Sequence, residues 1–252
     1  MRQFEGSIAL ITGAASGIGA ATATLLANEG ARKLILVDLD EGKLADFAFS
    51  LPCERQLMIG DVADENLWAN ADLTGLTHAV VNAGVAANGP IADLSLDEWR
   101  RVMSVNLDGA FLTLKAALRA IRSGGKGGAI VLTASAAGLK AEPGIAAYAA
   151  SKAAVIQLAR VAAKEGAPDR IRVTSIAPGG VETPIWNGVP QIAEMIRERG
   201  EEAAFAAIAS AATPLGRFAK PGEVAEQIAF LLSDRCALVT GACLLSDGGY
   251  TL

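Results

Sequence analysis

At 252 residues the chain can bury a substantial core and lies near the upper limit for one domain, and its 52% hydrophobic and 19% charged residues argue against a disordered protein. A net charge of −5 argues against broad binding to nucleic acid or an anionic membrane. Three cysteines (Cys53, Cys236, Cys243) without a CxxC pair, and one histidine, suggest no metal site, no disulfide framework and no His-based triad.

The opening residues, MRQFEGSIALITG, lead directly into a short apolar run, so no signal peptide is expected. No apolar stretch reaches the ~18 residues needed to span a bilayer, and a soluble, cytoplasmic protein is expected. Short β-branched runs at 8–12, 34–38, 56–60, 78–82, 129–133, 171–176 and 238–245 read as strands. Being apolar almost throughout, they suit a parallel sheet covered on both faces. Helical periodicity fills 17–29, 41–50, 97–122, 146–166 and 222–233, whereas 64–73 has room for one or two turns only.

This alternation predicts right-handed βαβ crossovers and an α/β fold: a doubly wound, seven-stranded parallel sheet, Rossmann-like, in three αβα layers. No composition break divides the chain, so residues 1–252 are expected to form one domain. The Gly- and Pro-containing stretch 178–216 follows the sixth strand, where ligands bind in such sheets, and a lid is expected at about 183–215. His78, inside the strand-like LTHAVVNAG, is expected to be structural.

The first strand runs into TGAASGIGAA, with Gly13, Gly17 and Gly19 spaced G-x3-G-x-G and Ser16 and Ile18 completing the loop. Glycine there permits a tight strand-to-helix turn and lets a pyrophosphate approach backbone N–H groups at a helix N-terminus. Asp38 ends the second strand, placed to accept hydrogen bonds from adenosine ribose hydroxyls. Its carboxylate repels a 2′-phosphate, and no arginine lies in the glycine loop or directly after Asp38, which favours NAD over NADP. The competing role for Asp38 is a helix cap in DLDEGK, where Asp40 serves equally well.

Of the two tyrosines, Tyr148 stands four residues before Lys152 in YAASK, on one helix face. An ammonium near a phenol favours the phenolate, and a fall of about three units, about 4 kcal/mol, would bring the phenol near working pH. Such a phenol can exchange a proton with an alcohol or ketone oxygen. Ser135, at the end of another strand, can hydrogen-bond the same oxygen.

The ordered set TGAASGIG (12–19), DV (61–62), NAG (82–84), Asn106 in SVNLDGAFL, Ser135 in IVLTASAAG, YAASK and PGGVETP (178–184) resembles the short-chain dehydrogenase/reductase family over nearly the whole chain. The resemblance implies Tyr148 as general acid/base, Lys152 tuning it and holding the nicotinamide ribose, and Ser135 polarising the substrate oxygen. It implies that Asn106 holds a water joining Lys152 to solvent. Asp61 and Val62 would lie at the adenine, Asn82, Ala83 and Gly84 along the adenosine side, and Pro178, Gly179, Val181 and Thr183 around the nicotinamide.

Departures from the family pattern are Val81 and Thr174, each where asparagine is common, and a short Asp61–Asn82 segment implying a vestigial crossover helix. The substrate pocket is expected between Val85 and Ala86, the loop 136–145 and the lid. Ile185, Trp186, Val189, Ile192 and Met195 would offer apolar contacts to an uncharged, cyclic or steroid-like small-molecule alcohol or ketone. Lys140 and Glu142 are expected to face water. Alternatives are a 3-oxoacyl-carrier-protein reductase, for which Arg170 and Arg172 speak and Asp38 and Ala129 do not, and a non-catalytic NAD-binding sensor. The family's use of helices 97–122 and 146–166, with small Ala149, Ala150, Ala153 and Ala154, and of the tail SDGGYTL implies a homotetramer.

Overall fold

β-branched runs form seven strands in the computed structural model, which describes residues 2–252. They are β1 (Ile8–Thr12), β2 (Lys33–Asp38), β3 (Glu54–Ile59), β4 (His78–Val81), β5 (Gly128–Thr133), β6 (Ile171–Pro178) and β7 (Cys243–Ser246). All pair in parallel, in the order β3-β2-β1-β4-β5-β6-β7. The order reverses between β1 and β4, the switch point at which such sheets open a crevice beyond their strand ends.

The helices are α1 (Gly17–Asn28), α2 (Glu41–Phe49), α3 (Glu65–Ala69), α4 (Leu96–Met103), α5 (Gly109–Gly124), α6 (Ala146–Gly166), α7 (Pro190–Arg199), α8 (Glu201–Ala212) and α9 (Pro221–Leu232). Alternate residues of each strand feed two cores. Leu34, Leu36, Val80 and Val131 pack under α1, α2 and α9, while Ile35, Val37, Ala79 and Ile130 pack under α5 and α6. The result is the three-layer, doubly wound sandwich. Among the described residues, no helix is long and apolar enough to cross a membrane.

Three elements depart from expectation or bear on it. The helix expected at 97–122 is two helices, α4 and α5, joined by a π turn at Ser104–Asp108. The strand expected at 238–245 shrinks to β7, because Gly241 takes a left-handed φ of 71° that interrupts the extended run. The crossover after β3 is short: α3 has five residues, leaving a groove against α5 lined by Trp68, Leu73, Leu112 and Ala116.

His78 starts β4 with its ring edge-on to Phe4, centroids 5.5 Å apart, and Nδ1 2.8 Å from Thr77 Oγ1. Burial, with Arg172 nearby, pushes its pKa down from 6.5 to about 4. As pH falls through 6.5 the unfolded chain takes up the proton first, so stability is lost from there down to about pH 4. The full cost is about 3 kcal/mol by the pKa-to-energy conversion. His78→Asn should therefore flatten the pH dependence of urea unfolding between neutral and acid pH; an unaltered slope would refute this.

Candidate active site

The turn from β1 into α1 builds the first half of the site. Gly17 holds φ at +54°, a conformation costly for other residues, and a Cβ on Gly19 would land on the Gly13 carbonyl oxygen. No acidic residue occupies the first turn of α1, so its N–H groups and dipole are open to an anion. Ser16 occupies the N-cap position, exposed, with its hydroxyl making no cap bond; Ile18 packs against the core beneath. A phosphate group fits such a cradle.

Asp38 faces this loop. Its carboxylate accepts the Ala15 N–H at 2.9 Å and the Asp40 N–H at 3.1 Å. The cap of α2 falls to Asp40, which accepts the Lys43 N–H at 3.0 Å, so Asp38 is not needed for it. Thr12, given no role from the sequence, ties the loop to β4: its Oγ1 accepts N–H bonds from Asn82 (2.9 Å) and Ala83 (3.1 Å). The Asn82 side chain turns back to the Thr12 carbonyl at 3.1 Å and braces the strand end. Asp61 accepts the Ala63 N–H at 2.9 Å, and the carbonyl of buried Val62 accepts Trp68 Nε1 at 2.8 Å.

The second half comes from β4, β5 and α6. Ser135 follows β5 at the head of a 3-10 turn, 9% exposed, its Oγ accepting the Ala137 N–H at 3.2 Å. Tyr148 and Lys152 lie one turn apart on α6, with Lys152 Nζ 5.8 Å from the phenol ring centroid. Lys152 is 3% exposed and donates to the Thr133 carbonyl at 2.9 Å.

Burial pushes Lys152 down from 10.5 to about 8, since an ammonium loses hydration there. Burial raises the Tyr148 phenol above its usual value, and the adjacent Ser135 hydroxyl acts in the opposite direction. The protein's own groups thus do not give the lowered phenol expected from a neighbouring ammonium. Desolvation of the phenolate is the larger influence, and Lys152 spends one N–H on Thr133.

Asn106 is buried in the π turn. Its Oδ1 accepts the Val85 N–H at 2.8 Å, and Nδ2 donates to the Val85 carbonyl (3.0 Å) and Ser151 Oγ (3.1 Å). Both amide hydrogens are used and one acceptor lone pair remains. A Cβ on Gly84 would lie 3.3 Å from both Asn106 Oδ1 and Lys152 Nζ, so the glycine leaves space between them.

The lid region carries a 3-10 turn (Pro184–Gly188), α7 and α8. Thr183 abuts the glycine loop: a Cβ on Gly17 would lie 3.1 Å from its Cγ2. Gly179, after Pro178, donates its N–H to the Ser246 carbonyl at 2.9 Å. The Val181 side chain is buried in the core, and its carbonyl accepts Trp186 Nε1 at 2.7 Å. Trp186 also stacks on Phe218, centroids 5.4 Å apart, in a small core with Phe205 and Ala209. It is consumed in lid packing, not offered to a pocket. Ile185, Ile192 and Met195 remain half-buried, and Val189 is buried.

Comparison with known proteins bears on this geometry. A family model described as "Enoyl-(Acyl carrier protein) reductase" matches residues 13–251. The chain is 41% identical over 258 residues to cis-4-hydroxycyclohexanecarboxylate dehydrogenase of Sinomonas cyclohexanicum, covering 98% of each. It is 38% identical to cyclohexanol dehydrogenase of Acinetobacter sp. (strain SE19), covering 99% of this chain and 96% of that one. Among solved structures, carveol dehydrogenase of Mycobacterium avium in complex with NAD superposes with a TM-score of 0.90 at 29% identity, covering 99% of both chains.

Proposed function

The chain belongs to the short-chain dehydrogenase/reductase family and is an oxidoreductase moving a hydride between a nicotinamide nucleotide and a secondary alcohol or ketone; we propose that the nucleotide is NAD and the substrate an uncharged, largely apolar ring alcohol. The observation that carries this is the gathering of Ser135, Tyr148 and Lys152 on one side of the 82–84 segment, where Gly84 faces Lys152, with the glycine loop packed on Asn82 and Ala83 of the same segment and Asp38 turned toward that loop.

The nucleotide, when bound, accepts or donates the hydride. The glycine loop and the N-terminus of α1 would hold its pyrophosphate, Asp38 its adenosine ribose, Asp61 and Val62 the adenine, and Lys152 its second ribose. Asn82, Ala83 and Gly84 would lie along the adenosine side, and Pro178, Gly179, Val181 and Thr183 around the nicotinamide. Tyr148 is the residue that takes the hydroxyl proton during oxidation and returns it during reduction. Ser135 orients the same oxygen by hydrogen bonding. Lys152, held on the Thr133 carbonyl, keeps positive charge near the phenol and favours the phenolate as the proton leaves. In the space beside Gly84, a water bonded to the free lone pair of Asn106 would connect Lys152 to solvent.

Residues 183–215 would act as a lid, to which half-buried Ile185, Ile192 and Met195 would contribute apolar contacts. Ring substrates fit this lining, and both dehydrogenase relatives are named for ring alcohols; cyclohexanol is uncharged, as proposed for this chain, whereas 4-hydroxycyclohexanecarboxylate also carries an anionic group. A carrier-protein substrate would need free basic surface. Arg172 is instead committed to the carbonyls of Leu231 (2.7 Å), Leu232 (2.8 Å) and Ser233 (2.9 Å), and Arg170 bonds the Gly125 carbonyl at 2.7 Å. The exposed Phe111 and Val161 on α5 and α6, Phe230 on α9 and Leu245 in β7 support assembly as a homotetramer.

The test is a panel of cyclic secondary alcohols with NAD and with NADP, followed at 340 nm. Turnover with NAD and cyclohexanol-like substrates is expected. Activity confined to NADPH with acyl thioesters would overturn the proposal, and tight NAD binding without turnover would point to a sensor. Asp38→Ala should narrow the NAD-to-NADP preference about tenfold or more, since removal of one carboxylate beside a phosphate is worth at least about 1.4 kcal/mol at partly exposed sites. An unchanged ratio would show that the ribose lies elsewhere.

A further inference from the structure

The last residues of the chain touch three segments around the cleft. Ser246 accepts the N–H of Gly179, just beyond β6, and the Gly248 carbonyl accepts the N–H of Leu215, at the lid's end, at 3.1 Å. The Tyr250 carbonyl accepts Lys140 Nζ at 2.8 Å, from the loop that follows Ser135. Asp247 winds the segment into a tight turn, its carboxylate accepting the N–H groups of Gly249 (2.9 Å) and Thr251 (2.8 Å).

Lys140 is more firmly held than a surface lysine. Beyond the Tyr250 carbonyl, its Nζ lies 4.2 Å from the Tyr250 ring centroid and 3.2 Å from Glu142 Oε1. One ammonium therefore meets a carbonyl, a π face and a carboxylate. Burial, and then a hydrogen bond with Glu142, push the Tyr250 phenol up to about 12, so it stays a neutral donor. The expectation that Lys140 and Glu142 simply face water is corrected by this cluster: they bind the chain's end.

We infer that residues 246–252 form a latch across the cleft, and that Tyr250 is a positioning residue that fixes the Ser135 loop through Lys140 and Glu142. The loop runs from the 3-10 turn at Ala136–Gly138 to Ile145, where α6 and its Tyr148 begin. A pull on residues 140–142 is therefore transmitted to both ends that carry the proposed catalytic hydroxyls. Shifts of about an ångström at such groups alter rates strongly. The polar and ring partners of Tyr250 are Lys140 and Glu142, on the Ser135 loop and not on the nucleotide loop, so its effect should appear on the alcohol and not on NAD. The inference rests on the assignment of Ser135 and Tyr148 to the reaction.

Tyr250→Ala should lower kcat and kcat/KM for the alcohol about tenfold, in line with loss of orientation, while NAD affinity stays within about twofold. The backbone carbonyl that accepts Lys140 survives in either variant; Tyr250→Phe, which also keeps the ring under the Lys140 ammonium and loses only the phenol bonded to Glu142, should recover most of the loss. Amide hydrogen exchange should quicken in residues 136–145 of Tyr250→Ala and stay unchanged in residues 12–20. If Tyr250→Ala fails to fold, Lys140→Met gives the same pair of readouts with the chain's end intact. Unaltered exchange at 136–145 together with unaltered kcat/KM for the alcohol overturns the latch. Exchange needs no substrate, so a wild type without alcohol turnover would sink the functional proposal while the latch is still judged by its own result.

Discussion

Tyr148→Phe is expected to lower kcat by about a hundredfold to ten-thousandfold, the range that one positioned acid/base supplies, with NAD affinity within a few-fold of wild type. The substitution removes one oxygen and keeps the ring, so packing on α6 is retained. Without the phenol, the substrate's proton has no local acceptor. Ser135 is a weak base, and the Lys152 ammonium lies beyond the ring, bonded to Thr133.

The pH profile sharpens this. Lys152, with a pKa of about 8, carries its charge at neutral pH and loses it in mild alkali, while burial holds the Tyr148 phenol protonated. Below pH 8 the lysine charge that supports proton removal is therefore present, and above it that support fades. Steady-state rates of both proteins at saturating NAD would decide the matter. A Phe variant that turns over like the wild type would refute the role of Tyr148.

What the sequence made legible follows from local rules. Strand–helix alternation, glycine at the first turn and a Tyr–Lys pair at four-residue spacing each depend on neighbours within a few positions. Partners distant in the chain were not legible. Asn106 reaches Val85 across 21 residues and Ser151 across 45, so no spacing rule could reveal that its amide bolts a loop to α6. Trp186 looked like a pocket wall because the run around it is apolar, yet Phe218 is its partner. The π turn at Ser104–Asp108 preserves helical periodicity on both sides, which concealed the break. The tie between Lys140 and Tyr250 spans 110 residues.

Gly19→Ala should weaken NAD binding by at least about a hundredfold, about 2.7 kcal/mol, with a much smaller effect on thermal stability. The reason is a collision. A Cβ at residue 19 would land on the Gly13 carbonyl oxygen and lie 2.9 Å from Asn82 Nδ2. Neither neighbour can yield cheaply, since one is backbone and the other is tied to Thr12. The first turn of α1 must therefore move away from the loop, taking with it the N–H groups that would face the pyrophosphate.

The core under α1 is built from Ala23, Leu26 and Ala27, farther along the helix, so the sheet should survive the shift. Gly222→Ala is the matched control: it sits in the first turn of α9, and a Cβ there meets no atom within 4 Å. That variant should bind NAD as the wild type does. Calorimetric titration of NAD into both variants separates the cases. Wild-type affinity in Gly19→Ala would show that the phosphates do not approach this turn, and the proposed nucleotide site would have to be abandoned.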